Sequence, residues 1–263
     1  MLLNYFVLSV AGSAAFVANE APMLEIEPSQ VEVSAEIVEQ PIATQWEQIQ
    51  ETLSSYCHSN ATVLAKSRLL LLELEALVAD GHLSRGDFER ILDAVLFAAK
   101  KHQLQTRKDA GKTPYIIHPI GVAYHLLTIG HVYDAEILIG ALLHDTVEDT
   151  DTTFEEIKEM FGERVEGYIR EVTDDKSLPK WERKRLQIEH APDKSFGAAH
   201  IKLADKLYNL SDLVKEAPQD WSEERVLEYI QWAEQVVNAL PPVNADLKAA
   251  VDGIIASYWK SQE

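Results

Sequence analysis

Apolar residues recur along most of this chain at intervals of three and four, a period that predicts helices rather than strands. The pattern sets in from about Val63. Leu69 to Val78 is a dense apolar stretch, and Asp80-Gly81-His82 breaks it. A second helix is predicted from near Ser84, where Phe88, Ile91, Leu92, Val95, Leu96 and Ala99 fall at i, i+3, i+4 and i+7 spacings. A basic, polar loop follows from Lys100 to Thr113. Further helices are predicted at roughly 118–129, 134–148, 153–172, 180–190, 197–215, 222–239 and 244–260. Thr153 with Glu156 three residues on has the form of a capping box, and Ser222 ahead of Glu223-Glu224-Arg225 is a similar start signal. Alternating strand patterns and Asn-Gly turns are essentially absent. The expected fold class is all-α, a helical bundle behind an N-terminal extension.

That extension follows a different pattern. Residues 1–18 form an apolar run interrupted by Asn4, Gly12 and Ser13. It resembles the hydrophobic part of a signal peptide but lacks a positively charged start, and it is marginal as a membrane span. Residues 19–55 are Glu-rich, without basic residues or sustained period, and read as a linker. The expected organisation is a poorly ordered extension over 1–62, a helical lead-in over 63–85 and one domain over 86–263. The expected location is cytoplasmic, with secretion or anchoring through residues 1–20 as the alternative. In the secreted case Asn60-Ala61-Thr62 would be a glycosylation sequon.

Charge narrows the partners. The 263 residues carry a formal net charge of -19, a balance that repels nucleic acid and acidic membranes. The imbalance is uneven: no Lys or Arg precedes Lys66, while residues 1–65 hold eight Glu. Two basic clusters can therefore still hold an anion, Lys100, Lys101, Arg107, Lys108 and Lys112, and then Lys176, Lys180, Arg183, Lys184 and Arg185. Any one of these cations could equally be a solvated helix face. A single cysteine, Cys57, excludes an intramolecular disulfide.

The segment richest in chemistry is Ala141-Leu142-Leu143-His144-Asp145-Thr146-Val147-Glu148-Asp149. On a continuous helix His144 and Glu148 share one face, and Asp145 and Asp149 another. Carboxylates beside so apolar a run are costly unless paired or bound to a cation. The bland reading is a helix end whose carboxylates point into water. Two other segments supply matching groups: Tyr115-Ile116-Ile117-His118-Pro119, and Lys202-Leu203-Ala204-Asp205-Lys206-Leu207-Tyr208-Asn209. Each alone is weak, since a lone histidine is more often structural.

Together, H…HD…D resembles the signature of the HD superfamily. Arg107-Lys108, Thr113 to Pro119, His144 to Thr153, Glu171 to Lys176 and Lys202 to Leu210 resemble the hydrolase domain of RelA/SpoT-type alarmone enzymes. Leu178-Pro179-Lys180, Glu182 to Gln187 and Trp221-Ser222-Glu223 resemble its small stand-alone metazoan members. The likeness covers about residues 90–240. It implies one Mn²⁺ on His118, His144, Asp145 and Asp205, and removal of the 3′-pyrophosphate of (p)ppGpp. It further implies Glu148 and Asp149 as the pair that handles the attacking water, with Arg107, Lys108 and Asn209 bordering the nucleotide. Lys180 is expected among the substrate contacts. Tyr115 could touch the nucleoside, although aromatics at such spacings are more often core. The metazoan members are also associated with removal of the 2′-phosphate of NADPH, which needs the same metal site. A catalytically inactive binding domain is the third reading, and the intact ligand set argues against it. Synthesis, which would need a second catalytic domain of similar size, is not expected.

Overall fold

The computed structural model describes residues 42–261. The expectations for residues 1–20 and for most of the acidic linker fall outside the described residues. Among the described residues the backbone is helical and contains no strand, only an isolated bridge between Thr106 and Pro114. No helix among them is long and apolar enough to cross a membrane.

Twelve segments follow in order: α1 (Ile42–Tyr56), α2 (Ala61–Ala79), α3 (Arg85–Lys101), α4 (Ile117–Thr128), α5 (Ala135–Leu143) and α6 (Thr146–Asp149). Then come α7 (Phe154–Phe161), α8 (Glu163–Val172), α9 (Lys180–Glu189), α10 (Phe196–Lys215), α11 (Glu223–Ala239) and α12 (Ala245–Lys260). Polar side chains start many of them. Asn60, Ser84, Asp134, Thr153, Ser222 and Asn244 each accept from a backbone N–H of the first turn. Such caps contribute about 1 kcal/mol each.

At the centre, α10 packs against α4, α5, α8, α11 and α12. All of α5 from Ala135 to Leu143 except Glu136 is buried, with Ile139, Leu142 and Leu143 wholly so. A helix apolar all round belongs inside a bundle. Each such side chain contributes roughly 1.5–3 kcal/mol by leaving water, which holds the end of α5 in place. The crossing of α4 and α10 is equally tight. A Cβ on Gly121 would sit 1.9 Å from Tyr208 Cε2, so this position accepts no side chain without moving the tyrosine.

Three features differ from the sequence pattern. The stretch 134–148 is not one helix, because it turns at His144-Asp145 before α6. The stretch 153–172 divides at Gly162, whose φ of +96° closes α7 and opens α8. And α1 occupies the end of the segment read as linker, where Ile49, Leu53 and Cys57 form a narrow i, i+4, i+8 stripe buried against α3. The polar residues between them dilute the period below recognition.

Candidate active site

Three helix segments deliver the core of the site. His118 lies in the first turn of α4, His144 at the end of α5, and Asp205 midway along α10. One ligand atom from each of these three lies within 4.8 Å of the others, and all three residues are buried. The Nε2 atoms of the two imidazoles are 3.2 Å apart. Asp205 Oδ1 is 3.3 Å from the His118 nitrogen and 3.8 Å from that of His144. Asp145 Oδ2 completes the group at 3.4 and 3.1 Å from the same two nitrogens.

Three of the four donors are oriented by a neighbour, while the His118 Nδ1 is buried without a hydrogen-bond partner. The His144 Nδ1–H faces the Ala141 carbonyl at 2.7 Å, which leaves the Nε2 lone pair for the centre. The Tyr115 hydroxyl donates to Asp145 Oδ2 at 2.6 Å. Asn209 Nδ2 donates to Asp205 Oδ1 at 2.6 Å, and Lys206 Nζ to its Oδ2 at 3.1 Å. Arg107 Nη2 donates to Asn209 Oδ1 and Asp212 Oδ2, both at 3.0 Å, so the loop after α3 is tied to α10.

The electrostatics ask for a cation. Burial works against charge on Asp145 and Asp205, yet nearby imidazoles and, for Asp205, lysines hold both carboxyls well below the usual carboxylate range. Burial also opposes charge on His144, but Asp145 and then Asp205 outweigh it and push that ring up to about 9. The two imidazole nitrogens lie 3.2 Å apart and 3.1–3.8 Å from one oxygen of each carboxylate, spacings that suit a divalent metal, since donors about 2.1 Å from one ion lie about 3.0–3.4 Å apart. The set contains nitrogen and oxygen and no thiolate.

Glu148 and Asp149 sit on α6, one turn past the two adjacent donors. The Asp174 backbone N–H donates to Glu148 Oε2 at 3.0 Å, and Lys176 Nζ approaches Glu148 Oε1 at 3.2 Å. Lys176 also donates to Asp149 Oδ1 at 2.6 Å. Burial raises the Glu148 pKa, with the nearby Asp174 and Asp145 charges adding to it against the Asp174 N–H and Lys176. From below, Gln105 Nε2 donates to the Asp149 carbonyl at 2.6 Å, and its Oε1 is 2.7 Å from His102 Nδ1.

Two cavities flank this centre. The first, of about 510 Å³, gathers Lys108, Lys180, Arg183, Lys184 and Arg225, with Asp174, Tyr229 and Trp232 among its other walls. The second, of about 600 Å³, reaches the metal donors through Tyr115 and Asn209 and is lined by Arg107, Tyr208 and His125. Burial, followed by the charges of Lys66 and His118, lowers the His125 pKa to about 4. Lys108, Trp221 and Tyr229 belong to both cavities.

His118, His144, Asp145, Asp205, Glu148, Asp149, Arg107, Lys108, Asn209, Tyr115 and Lys180 thus lie in or around one region, but not all in the expected capacity. The Tyr115 hydroxyl is committed to Asp145, while its ring lines the second cavity. Of the basic clusters, Lys101 pairs instead with Asp151 and Glu156, and Arg185 with Glu182 and Glu189. Residues that sequence reasoning did not single out include His102, Gln105, Arg225 and Trp232. No local spacing marks them: His102 and Gln105 lie in the turn after α3, and Arg225 and Trp232 on α11.

A family model for the HD domain matches residues 94–230. The chain belongs to the HD domain family. It is 57% identical over 166 residues to the guanosine-3′,5′-bis(diphosphate) 3′-pyrophosphohydrolase MESH1 of Xenopus tropicalis, covering 63% of this chain and 93% of that protein. It is 56% identical to the Homo sapiens protein of the same name, over 62% of this chain and 90% of that one. Among solved structures it is similar to a metazoan ortholog of SpoT that hydrolyzes ppGpp. That match has a TM-score of 0.63 at 47% identity, covering 64% of this chain and 95% of the other.

Proposed function

We infer that this chain is a metal-dependent phosphohydrolase that removes the 3′-pyrophosphate of (p)ppGpp, releasing pyrophosphate and GDP or GTP. The observation that carries this reading is the cluster of His118, His144, Asp145 and Asp205 beside a chamber lined by five cations, within a chain so similar to named pyrophosphohydrolases. We assign those four residues as ligands of one ion and propose Mn²⁺, which suits a mixed nitrogen and oxygen set. Such an ion polarises a phosphoryl oxygen and acidifies a water molecule.

The chain's own residues supply the rest. Glu148 and Asp149 stand one turn from the donors, and burial raises the Glu148 pKa above the ordinary carboxylate value. Asp149 is the proposed acceptor of the water's proton, and Lys176 orients both carboxylates. Attack on the phosphorus bonded to O3′ breaks that O–P bond, and the ribose 3′-oxygen takes up a proton. Lys108 and Lys180, with their neighbours in the basic chamber, offset the phosphate charge that a -19 chain would otherwise repel. Arg107, Asn209 and the Tyr115 ring border the nucleoside.

We take residues 86–263 as the hydrolase domain, with 63–85 as its lead-in. A cytoplasmic location is consistent with the lone, buried, unpaired Cys57.

The test is to incubate Mn²⁺-loaded protein with ppGpp and NADPH in parallel and identify every phosphorus-containing product. Pyrophosphate and GDP from ppGpp, at much the higher kcat/KM, are expected. Orthophosphate from NADPH alone would keep the metal site and move the function to cofactor dephosphorylation.

A further inference from the structure

Helix α2 lies ahead of the region that the family model matches, which begins at residue 94. It is nonetheless part of the site's surroundings. Thr62 and Lys66, both on α2, line the second cavity together with Arg107, Tyr208 and Asn209. Lys66 is half-buried, and its Nζ lies 4.7 Å from the centroid of the Tyr124 ring. Among the described residues no carboxylate pairs with it within 4.0 Å. Its neighbour His125 has a buried Nδ1 with no partner. This end of the cavity therefore holds a cation without a carboxylate partner and an imidazole nitrogen without a hydrogen bond.

The composition of the chamber indicates what they meet. The first cavity sets five cations against Asp174, Glu224 and Glu228, while the second sets Lys66, Arg107, Lys108 and Lys215 against Asp109, Asp212 and Glu216. The second thus has the smaller excess of positive charge and suits a second polyphosphate less well. Its aromatic lining, with the Arg107 guanidinium 5.7 Å from the ring centroids of both Tyr115 and Tyr208, suits a flat, neutral, polar group. We propose that Lys66 is a specificity-determining residue that donates to the O6 and N7 acceptor edge of a guanine seated in this cavity. Lysine pairs naturally with that edge, while adenine presents an amine where guanine presents O6. Part of the base selectivity then resides in a helix ahead of the matched family region. This inference rests on the hydrolase reading above for its substrate, but not for its test.

The experiment compares full-length wild type, Lys66→Met and Lys66→Arg by calorimetric binding of guanosine and adenosine 5′-diphosphates. Hydrolysis of the two corresponding 3′,5′-bis(diphosphates) is measured alongside. Methionine keeps the stem over Tyr124 and removes the charge, and an unchanged thermal midpoint confirms folding. Lys66→Met is expected to weaken guanosine diphosphate binding about tenfold and to raise the KM of the guanosine substrate similarly, with kcat and the adenosine ligands within about twofold. Lys66→Arg is expected to keep the guanosine preference. Unchanged guanosine binding in Lys66→Met, or an equal loss on both bases, overturns the assignment. Failure of the hydrolase reading looks different, because wild type would then release no pyrophosphate while the binding comparison stayed interpretable.

Discussion

The metal-donor cluster and the basic chamber next to it solve opposite electrostatic problems. In the cluster three of the four donors are held by a neighbour: Ala141 for His144, Tyr115 for Asp145, Asn209 and Lys206 for Asp205. In the chamber, burial and then Arg225, Lys108 and Arg183 lower the Lys180 pKa, and burial and then Lys180 lower that of Lys184. One region is a fixed cage of carboxylates and imidazoles, and the other an excess of cations, five against Asp174, Glu224 and Glu228, on partly exposed, adaptable side chains. On the proposed reading, geometry is built in where the chemistry occurs, while a surplus of positive charge is stored where the substrate's phosphates would arrive. Its residual self-repulsion would be eased by an entering anion.

Substitutions can break this contrast from its rigid side first. Asp205→Ala is expected to remove bound metal and lower kcat by about 10³-fold or more, since the ion contributes several kcal/mol. Elemental analysis alongside the assay checks it, and full activity without metal would sink the ligand assignment. Asp149→Asn should retain the metal and lose about 10²–10³-fold in kcat. A near-normal kcat would transfer the proton-accepting role to Glu148. Tyr115→Phe deletes only the 2.6 Å bond to Asp145, and is expected to weaken metal affinity about 10–100-fold, read by competition with a chelator. If affinity were unchanged, the cage would not depend on its outer support. On the adaptable side, Lys184→Met should raise KM about threefold to tenfold with kcat little altered, and added salt should shrink the difference. A change confined to kcat would place Lys184 in the chemistry instead.

Much of this site was readable before the structure because its donors sit inside strongly apolar helices. Ile137 to Leu143 and the stripe of Leu203, Leu207 and Leu210 placed His144 and Asp205 at positions where an unpaired charge would be costly. What escaped was everything that depends on local exceptions or on meetings between distant helices. The turn at His144-Asp145 keeps the Asp149 N–H bonded to the Asp145 carbonyl at 2.9 Å, so the i, i+4 relation survives a break that periodicity does not register. Gly162 does signal the end of α7, but the apolar period resumes immediately in Val165, Tyr168 and Ile169 and conceals it. Arg225 and Trp232 reach the basic chamber from α11, where their own segment reads as an ordinary amphipathic helix.

The donors also come from three helices far apart in sequence, and that has a consequence for how long the protein lasts. An ion bound only when α4, α5 and α10 are assembled acts as a cross-link on the folded chain and is absent from the unfolded one. By mass action, stability then rises with the logarithm of free metal concentration, about 1.4 kcal/mol per decade once above Kd. Scarcity of the ion would thus shorten the lifetime of the chain itself, coupling the abundance of this hydrolase to the metal supply of the cell.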